Sequence, residues 1–144
     1  VFQHSKKMLV KANHSEIVEN LSLSQLISNH DKSKLVFVCR LTKGDSLLGE
    51  NISYFTTPKD LDLKPPKFSK NITKTNSGYS IELITNTLAK NVYLTCSDKN
   101  GFFHDNYVDC IPGIPRVITV RTQLQQDEFE RSLKIISLVD SFSK

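Results

Sequence analysis

The residues with the clearest potential for chemistry lie in one stretch, NGFFHDNYVDCIPGIP, from Asn100 to Pro115. It brings together His104, Asp105 and Asp109. Two carboxylates can hydrolyse a glycosidic bond when they lie about 5 to 10 Å apart across a cleft. Asp105 and Asp109 are separated by a spacing that places them on one face of an extended strand, about 13 Å apart. The spacing argues against a catalytic carboxylate pair.

Nucleophilic catalysis finds little support in the rest of the chain. A serine, cysteine or lysine nucleophile needs an orienting base, and none of these residues stands in an elbow such as GxSxG. The histidines all stand near turn residues, where a histidine is usually a solvated side chain: His4, His14, His30 and His104. We therefore predict no catalytic residue in this chain.

Metal and cofactor sites are not expected either. The segment DKNGFFHDN, which begins at Asp98, lacks the alternating acids and the terminal glutamate of a calcium loop. No CxxC or Cys/His spacing typical of a zinc site is present. The residues Asp98 to Gly101 instead predict a hairpin turn.

The three cysteines are Cys39, Cys96 and Cys110, so they cannot all pair within the chain. Cys39 and Cys96 lie in apolar, β-rich runs, where a cysteine is usually a small buried hydrophobic residue. One disulfide and one free thiol would also agree with the count, which therefore does not fix the redox compartment.

Aromatic residues in the same stretch raise the alternative of carbohydrate binding. A β-sandwich that recognises sugars often uses exposed flat aromatic rings. The chain has no Trp, and Phe102, Phe103 and Tyr107 occupy strand positions that predict at least partial burial. A carbohydrate-binding module is thus an alternative with weak support. The neighbouring Asp105–Asn106 pair predicts a bend whose side chains bond their own backbone, as in Asx turns.

Composition excludes several classes of protein. Of the 144 residues, 38% are hydrophobic and 24% are charged, which is typical of a folded domain. A run of about 18 apolar residues that could span a membrane is absent from the sequence. The net charge of +4 comes mainly from scattered lysines, without the Arg-rich stripes and interleaved aromatics of a nucleic-acid surface. We expect neither nucleic-acid nor membrane binding.

Period-two patterning in the first part of the chain predicts short strands. KKMLVKA and EIVENLSL indicate two of them, and SLSQLISNHD could hold one helical turn capped by Ser22 or Ser24. KLVFVCRL, the turn TKGD and SLLGENISYFTT predict a hairpin, in which Gly44 and Asp45 supply the positive φ of the turn.

A break follows near residues 58–66, where TPKDLDLKPPKFSK carries three of the five prolines. Beyond it, NITKT, YSIELIT, NVYLTCS, FFHDNYVDCI and RVITVRT predict strands separated by turn signals. DEFERSL could form a short helix, and LKIISLV favours a last strand.

The fold class that this pattern favours is all-β. We predict an immunoglobulin-like antiparallel β-sandwich in residues 63–144, preceded by a partial second β-sandwich in residues 1–62. The first part offers too few strands to bury both faces of a sandwich, so it is expected to lack its opening strands or to lean on a partner.

Four segments resemble the C-terminal region of β-mannosidases of glycoside hydrolase family 2. They are ISYFTTPKDLDL, LAKNVYL, GFFHDNYVDCIPG and FERSLKIISLVDS, in the order and spacing of that family. The chain departs from the family pattern at His104, where Ser is usual, and at Cys110, where Leu is common.

The resemblance implies a non-catalytic fragment. Enzymes of this family carry both catalytic glutamates on a (β/α)8 barrel, which precedes two C-terminal sandwiches, so no catalytic position transfers to this chain. The parent enzyme would hydrolyse terminal β-D-mannose residues with retention, and the fragment's role would be structural and interdomain, with the barrel domain as its neighbour. The resemblance also implies a secretory parent, which could be periplasmic, extracellular or lysosomal.

Two alternatives stay open beside this interpretation. One is a carbohydrate-binding module, with carbohydrate as the partner. The other is an immunoglobulin-like interaction module, and the incomplete first part could also associate with another copy of itself. The chain begins at Val1 without a leader pattern, which carries no information because it could be part of a longer protein.

Overall fold

A computed structural model describes residues 2–142, apart from the side chain of Gln25. The chain divides into two compact units, Val1–Leu61 and Asp62–Lys144. Each unit is described by itself below.

The first unit is built around one β-hairpin. Strand β1 (Val36–Lys43) pairs antiparallel with strand β2 (Ser46–Tyr54), and Gly44 occupies the turn with a φ of 58°. The prediction of this hairpin is confirmed. Of the predicted pair, Gly44 supplies the left-handed conformation of the turn, whereas Asp45 does not have a positive φ. Arg40 and Glu50 are register partners, and their side chains form an ion pair of 2.6 Å.

Short helical segments precede and follow the hairpin in the sequence. Helix α1 (Leu23–Ile27) is the predicted single helical turn, and Ser22 occupies its N-cap position with its Oγ 3.1 Å from that of Ser24. Two 3-10 turns, Lys32–Lys34 and Pro58–Asp60, lie on either side of the hairpin.

The two strands predicted for KKMLVKA and EIVENLSL are wrong. Within the described residues 2–22 the backbone forms no strand. The alternation in these segments is real, but a strand needs a neighbour to receive its backbone hydrogen bonds. In the described part of this unit, β1 and β2 pair only with each other.

The second unit consists of two antiparallel sheets. A four-stranded sheet has the order β3-β4-β8-β6, formed by Phe68–Thr75, Gly78–Thr85, Arg116–Arg121 and Phe102–Phe103 respectively. A three-stranded sheet has the order β7-β5-β9, formed by Val108–Cys110, Ala89–Thr95 and Lys134–Ile136. This is the immunoglobulin-like sandwich that the sequence predicted.

The core lies between the inner faces of these sheets. Strand β4 alternates strictly, with every second side chain buried, as a strand with one face on a core must. The buried cluster comprises Tyr79, Ile81, Leu83, Ala89, Val92, Leu94, Val108, Cys110, Ile118, Val120, Phe129 and Leu133. The Tyr79 and Phe129 rings stack at 4.5 Å, and the Tyr79 hydroxyl donates to the Leu124 carbonyl at 2.9 Å.

Gly78 allows β4 and β8 to approach closely at the edge of this core. A Cβ at this position would lie 2.1 Å from the Val120 carbonyl oxygen, and the φ of Gly78 is 154°. Only glycine fits this backbone without movement of the neighbouring strand.

The C-terminal segment closes the sandwich. Helix α2 (Gln126–Ser132) is the predicted short helix and buries Phe129 in the core. The predicted last strand is shorter than expected: β9 covers Lys134–Ile136, and a 3-10 turn follows at Leu138–Ser141. Ser137 and Asp140 form a capping box that ends the strand and starts this turn.

The cysteines differ in their environments. Cys110 is buried, Cys96 is half-buried and Cys39 is exposed. The prediction of burial is therefore wrong for Cys39, because its strand lies in the hairpin of the first unit, whose faces are largely open. The described residues include no helix long and apolar enough to cross a membrane.

Candidate functional site

The segment from Asp98 to Cys110 crosses between the two sheets of the second unit. Strand β5 belongs to the three-stranded sheet, β6 to the four-stranded sheet, and β7 again to the three-stranded sheet. The single strand predicted for FFHDNYVDCI is thus wrong. The predicted turn at Asp98–Gly101 exists, with the Gly101 N–H donating to the Asp98 carbonyl at 3.0 Å, but it joins two sheets and is not a hairpin.

Asp98 ties the start of this segment to the end of β8. Its Oδ1 accepts from the Asn100 N–H at 2.9 Å, and its Oδ2 accepts from the Thr122 hydroxyl at 2.6 Å. The Gln123 N–H is a weaker third donor at 3.4 Å. These donors favour the charged carboxylate, and the Thr122 hydroxyl contributes most to lowering the pKa of Asp98 from 3.8.

Phe102 lies on the outside of the four-stranded sheet. Its ring is 51% exposed, and the Arg121 guanidinium lies 5.7 Å from its centroid. The His104 ring meets it edge-on at 5.3 Å. The prediction of burial is wrong for Phe102, whereas Phe103 is half-buried and packs against the core. Successive side chains of a strand point to opposite faces, so only one of the two side chains of β6 can face the core.

The predicted bend is present at residues 104–105, and the Asn106 Oδ1 accepts from the adjacent Tyr107 N–H at 3.3 Å, but the shorter bonds of Asn106 go to β5 and do not form an Asx turn. Its side-chain amide bonds the backbone of Leu94 on β5, accepting from the N–H at 2.7 Å and donating to the carbonyl at 2.9 Å. Val92 is the register partner of Val108, so continuing this register would place residue 106 opposite Leu94. The amide therefore takes the place of a backbone peptide group in the β5–β7 ladder.

Tyr107 leaves the ladder at this point. Its φ is 58°, a conformation uncommon for a bulky aromatic residue, and its side chain is 67% exposed. The ring stacks on that of Tyr93, with centroids 5.0 Å apart and planes 30° apart. The prediction of partial burial is wrong for Tyr107.

The two aspartates that suggested catalysis have different partners. Asp105 accepts from Arg116 at 3.1 Å on the surface. Asp109 pairs with Lys90 at 3.2 Å and accepts from the Asn91 N–H at 2.8 Å, with both charged side chains largely covered. Each carboxylate thus lies beside a different cation of the same unit.

The contacts of this segment join it to the rest of the second unit. Among the described residues no group of three or more His, Cys, Asp or Glu side chains could hold a metal ion. The absence of catalytic residues and cofactors stays a prediction. Sequence reasoning missed Tyr93, Arg121 and the bond from Asn106 to Leu94, because each depends on which strand becomes a neighbour.

Comparison with protein-family models identifies the family of this chain. The Ig_mannosidase family model, described as an Ig-fold domain, matches residues 63–141, more than half of the chain. The chain belongs to the mannosidase Ig-fold domain family. The Mannosidase_ig model, described as a mannosidase Ig/CBM-like domain, matches residues 1–60. The resemblance drawn from the sequence is thereby confirmed.

A solved structure also resembles this chain. The crystal structure of a β-D-mannosidase from Dictyoglomus thermophilum matches with a TM-score of 0.69 at 21% identity. The match covers 78% of this chain and 14% of that enzyme, so the chain spans a small part of its length. A search of curated protein sequences gives no match. The structural likeness supports the fold.

Proposed function

We propose that this chain is the non-catalytic C-terminal region of a β-mannosidase-like glycoside hydrolase and that its own role is structural. The parent would remove terminal β-D-mannose with retention. The observation that carries the proposal is the pair of mannosidase family matches, which follow one another along the chain over residues 1–60 and 63–141. Two adjacent domains of one enzyme type would occur together in this order in such a parent.

The chemistry of the second unit supports a structural role. Its buried side chains are mostly apolar, and the aspartates of the family-like segment bind cations or a backbone N–H group of the same unit. A retaining glycosidase needs two carboxylates about 5 Å apart that face a sugar. We therefore assign the catalytic carboxylates to another domain of the parent.

The first unit supports the view that residues 1–62 are the C-terminal part of a larger sandwich. Each face of the β1–β2 hairpin carries apolar side chains, and in the described residues neither strand has a second neighbour. A two-stranded hairpin alone is marginally stable in water. The opening strands of this sandwich and the catalytic barrel would be supplied by preceding sequence of the parent.

Enzyme assays test the proposal. The purified 144-residue chain should not release para-nitrophenol from para-nitrophenyl β-mannoside, whereas the complete gene product should do so with retention of anomeric configuration. Removing residues 63–144 from the complete protein should lower its melting temperature and leave its KM nearly unchanged. Turnover by the isolated chain, or a complete gene product without any glycosidase domain, would contradict the proposal.

Carbohydrate binding is a second candidate function, and one observation favours it. Tyr107 has an exposed ring that stacks on a second tyrosine. The interaction-module alternative gains less support, because the exposed apolar side chains of the first unit are already explained by a missing part of its own sandwich.

A further inference from the structure

The outer face of the three-stranded sheet carries a pair of tyrosines. Tyr93 lies between Val92 and Leu94, whose side chains are buried, so its ring points away from the core. Tyr107 precedes Val108, whose side chain is also buried, and its ring lies over Tyr93. The two rings form an aromatic surface, called the tyrosine surface below, that is open on the Tyr107 side.

The backbone of Tyr107 has a left-handed conformation. A left-handed φ such as that of Tyr107 is costly for a residue with a bulky side chain, whereas glycine adopts it without this cost. An exposed ring contributes little burial to offset this cost. Strain of this kind is concentrated at binding sites and active sites, where a fixed geometry serves the ligand.

Asn106 and Asn91 hold this part of the sheet in place. The amide of Asn106 bonds both backbone groups of Leu94 and fixes the chain immediately before the ring. Asn91 has a φ of 51° in the irregularity between Ala89 and Val92, and its N–H binds Asp109. Two left-handed residues other than glycine thus lie in neighbouring segments of this sheet, Asn91 on β5 and Tyr107 immediately before β7. A surface held in this way loses little conformational entropy on binding.

The outer face of this sheet also carries polar groups. Asp109 follows the buried Val108 on β7, so its side chain lies on the outer face, as the Tyr107 ring does. Asp109 pairs with Lys90 at 3.2 Å. A flat exposed ring on a face that also carries polar side chains matches a pyranose, which has C–H groups on one face and hydroxyl groups at its edge.

We propose that the tyrosine surface is a binding site for neutral hexopyranose oligosaccharides, with Tyr107 as the stacking platform. The site would hold a polysaccharide chain on this domain. The choice of a β-mannoside as first probe rests on the proposed function, but the stacking geometry does not.

The test uses the complete 144-residue chain in 1H–15N NMR titrations with β-1,4-mannotetraose and, separately, cellotetraose. Either sugar should shift the amide signals of Tyr93, Asn106 and Tyr107. Tyr107→Gly removes the ring and relieves the backbone, so it should fold at least as stably and bind about tenfold more weakly. Tyr107→Phe should retain binding.

Phe102→Ala is the matched control, because Phe102 is an exposed aromatic residue on the other sheet. Its removal should leave the titration unchanged. The proposal is overturned if neither sugar shifts these signals at millimolar concentration, if Tyr107→Gly binds as the unchanged chain does, or if a proline-rich peptide shifts them while both sugars do not. Binding of cellotetraose alone would count against the mannoside parent and would still support the site.

Discussion

Two hairpins in this molecule have nearly the same local structure and very different surroundings. The β1–β2 hairpin of the first unit and the β3–β4 hairpin of the second each pair over eight positions, and each has a glycine with positive φ at its turn. Yet β4 buries every second side chain, whereas β1 and β2 bury none fully. Turn chemistry and alternation form the hairpin, and a second sheet is needed to form a core.

The exposed apolar side chains show the same contrast. Among the described residues, nine of the exposed large hydrophobic side chains lie in the first unit and four in the second. Patches of this kind mark interaction surfaces or an incomplete domain. The second unit has the core of an independent domain, and the first has the pattern of one whose other layer is missing.

The largest expected difference comes from removing one large side chain from each unit. Phe129→Ala leaves a cavity at a side chain with 0% exposure and should lower the free energy of unfolding by about 3–5 kcal/mol. Leu47→Ala removes a side chain that is 52% exposed and should change it by less than about 0.5 kcal/mol. Urea denaturation followed by circular dichroism measures both. Equal losses would show that the first unit has a core of its own.

Glycine substitutions give a sharper comparison between the hairpins. Gly78→Ala places a Cβ against the Val120 carbonyl and should cost about 2–4 kcal/mol. Gly49→Ala on β2 places it in open space and should stabilise the hairpin by about 0.5 kcal/mol, because alanine loses less backbone entropy on folding. Thermal melting of both variants tests this. A neutral Gly78→Ala would mean that β4 and β8 can separate without cost.

Adjacent side chains in the family-like segment should differ in a similar way. Asn106→Ala leaves both Leu94 backbone groups without their partner and should destabilise the chain by about 1–3 kcal/mol. Asp105→Ala breaks a surface ion pair and should cost at most about 1 kcal/mol. Denaturant midpoints of the two variants measure the difference. A larger loss of stability in Asp105→Ala than in Asn106→Ala would show that Asp105 contributes more to holding this segment in place.

Local patterns predicted much of this fold. The hairpin, β3, β4, β5 and β8 follow from alternation bounded by turn residues, and helix α2 follows from a short polar segment around Phe129. These features depend on residues that are close in sequence. The strands expected in residues 6–23 failed because alternation alone does not supply a neighbouring strand.

The candidate site was less predictable, for the same reason. FFHDNYVDCI has an unbroken β-like composition, but its two ends pair with different sheets. The exposure of Phe102 and Tyr107 and the bond from Asn106 to Leu94 follow from that division. No spacing within the segment encodes which sheet each end joins, so burial and hydrogen-bond partners could not be read from it.

The smallest expected effect concerns pH, and it compares one carboxylate in each unit. The pKa values of Asp31 and Asp98 are both lowered from 3.8, mainly by hydroxyl donors, Ser33 and Thr122 respectively. A lowered folded-state pKa stabilises the fold above the unfolded value, and this stabilisation is lost as pH falls through the folded one. Asp98 joins the loop after β5 to the end of β8, whereas Asp31 bonds a residue two positions away. Protonation of Asp98 should therefore weaken the sandwich, and protonation of Asp31 should affect only a local turn.

Acid titration of melting temperature in three proteins measures this difference. Asp98→Asn should melt lower than the unchanged chain at neutral pH, and the two curves should converge below the ordinary aspartate pKa of 3.8. Asp31→Asn should follow the unchanged chain throughout, because the Asp31 carboxylate bonds Ser33 and pairs with Lys34 within one local turn. The opposite result would be a melting curve of Asp31→Asn that differs from the unchanged chain at neutral pH and meets it in acid, while Asp98→Asn shows no such change. That result would place the acid-sensitive contact in the first unit and would contradict the contrast between a closed sandwich and an open hairpin.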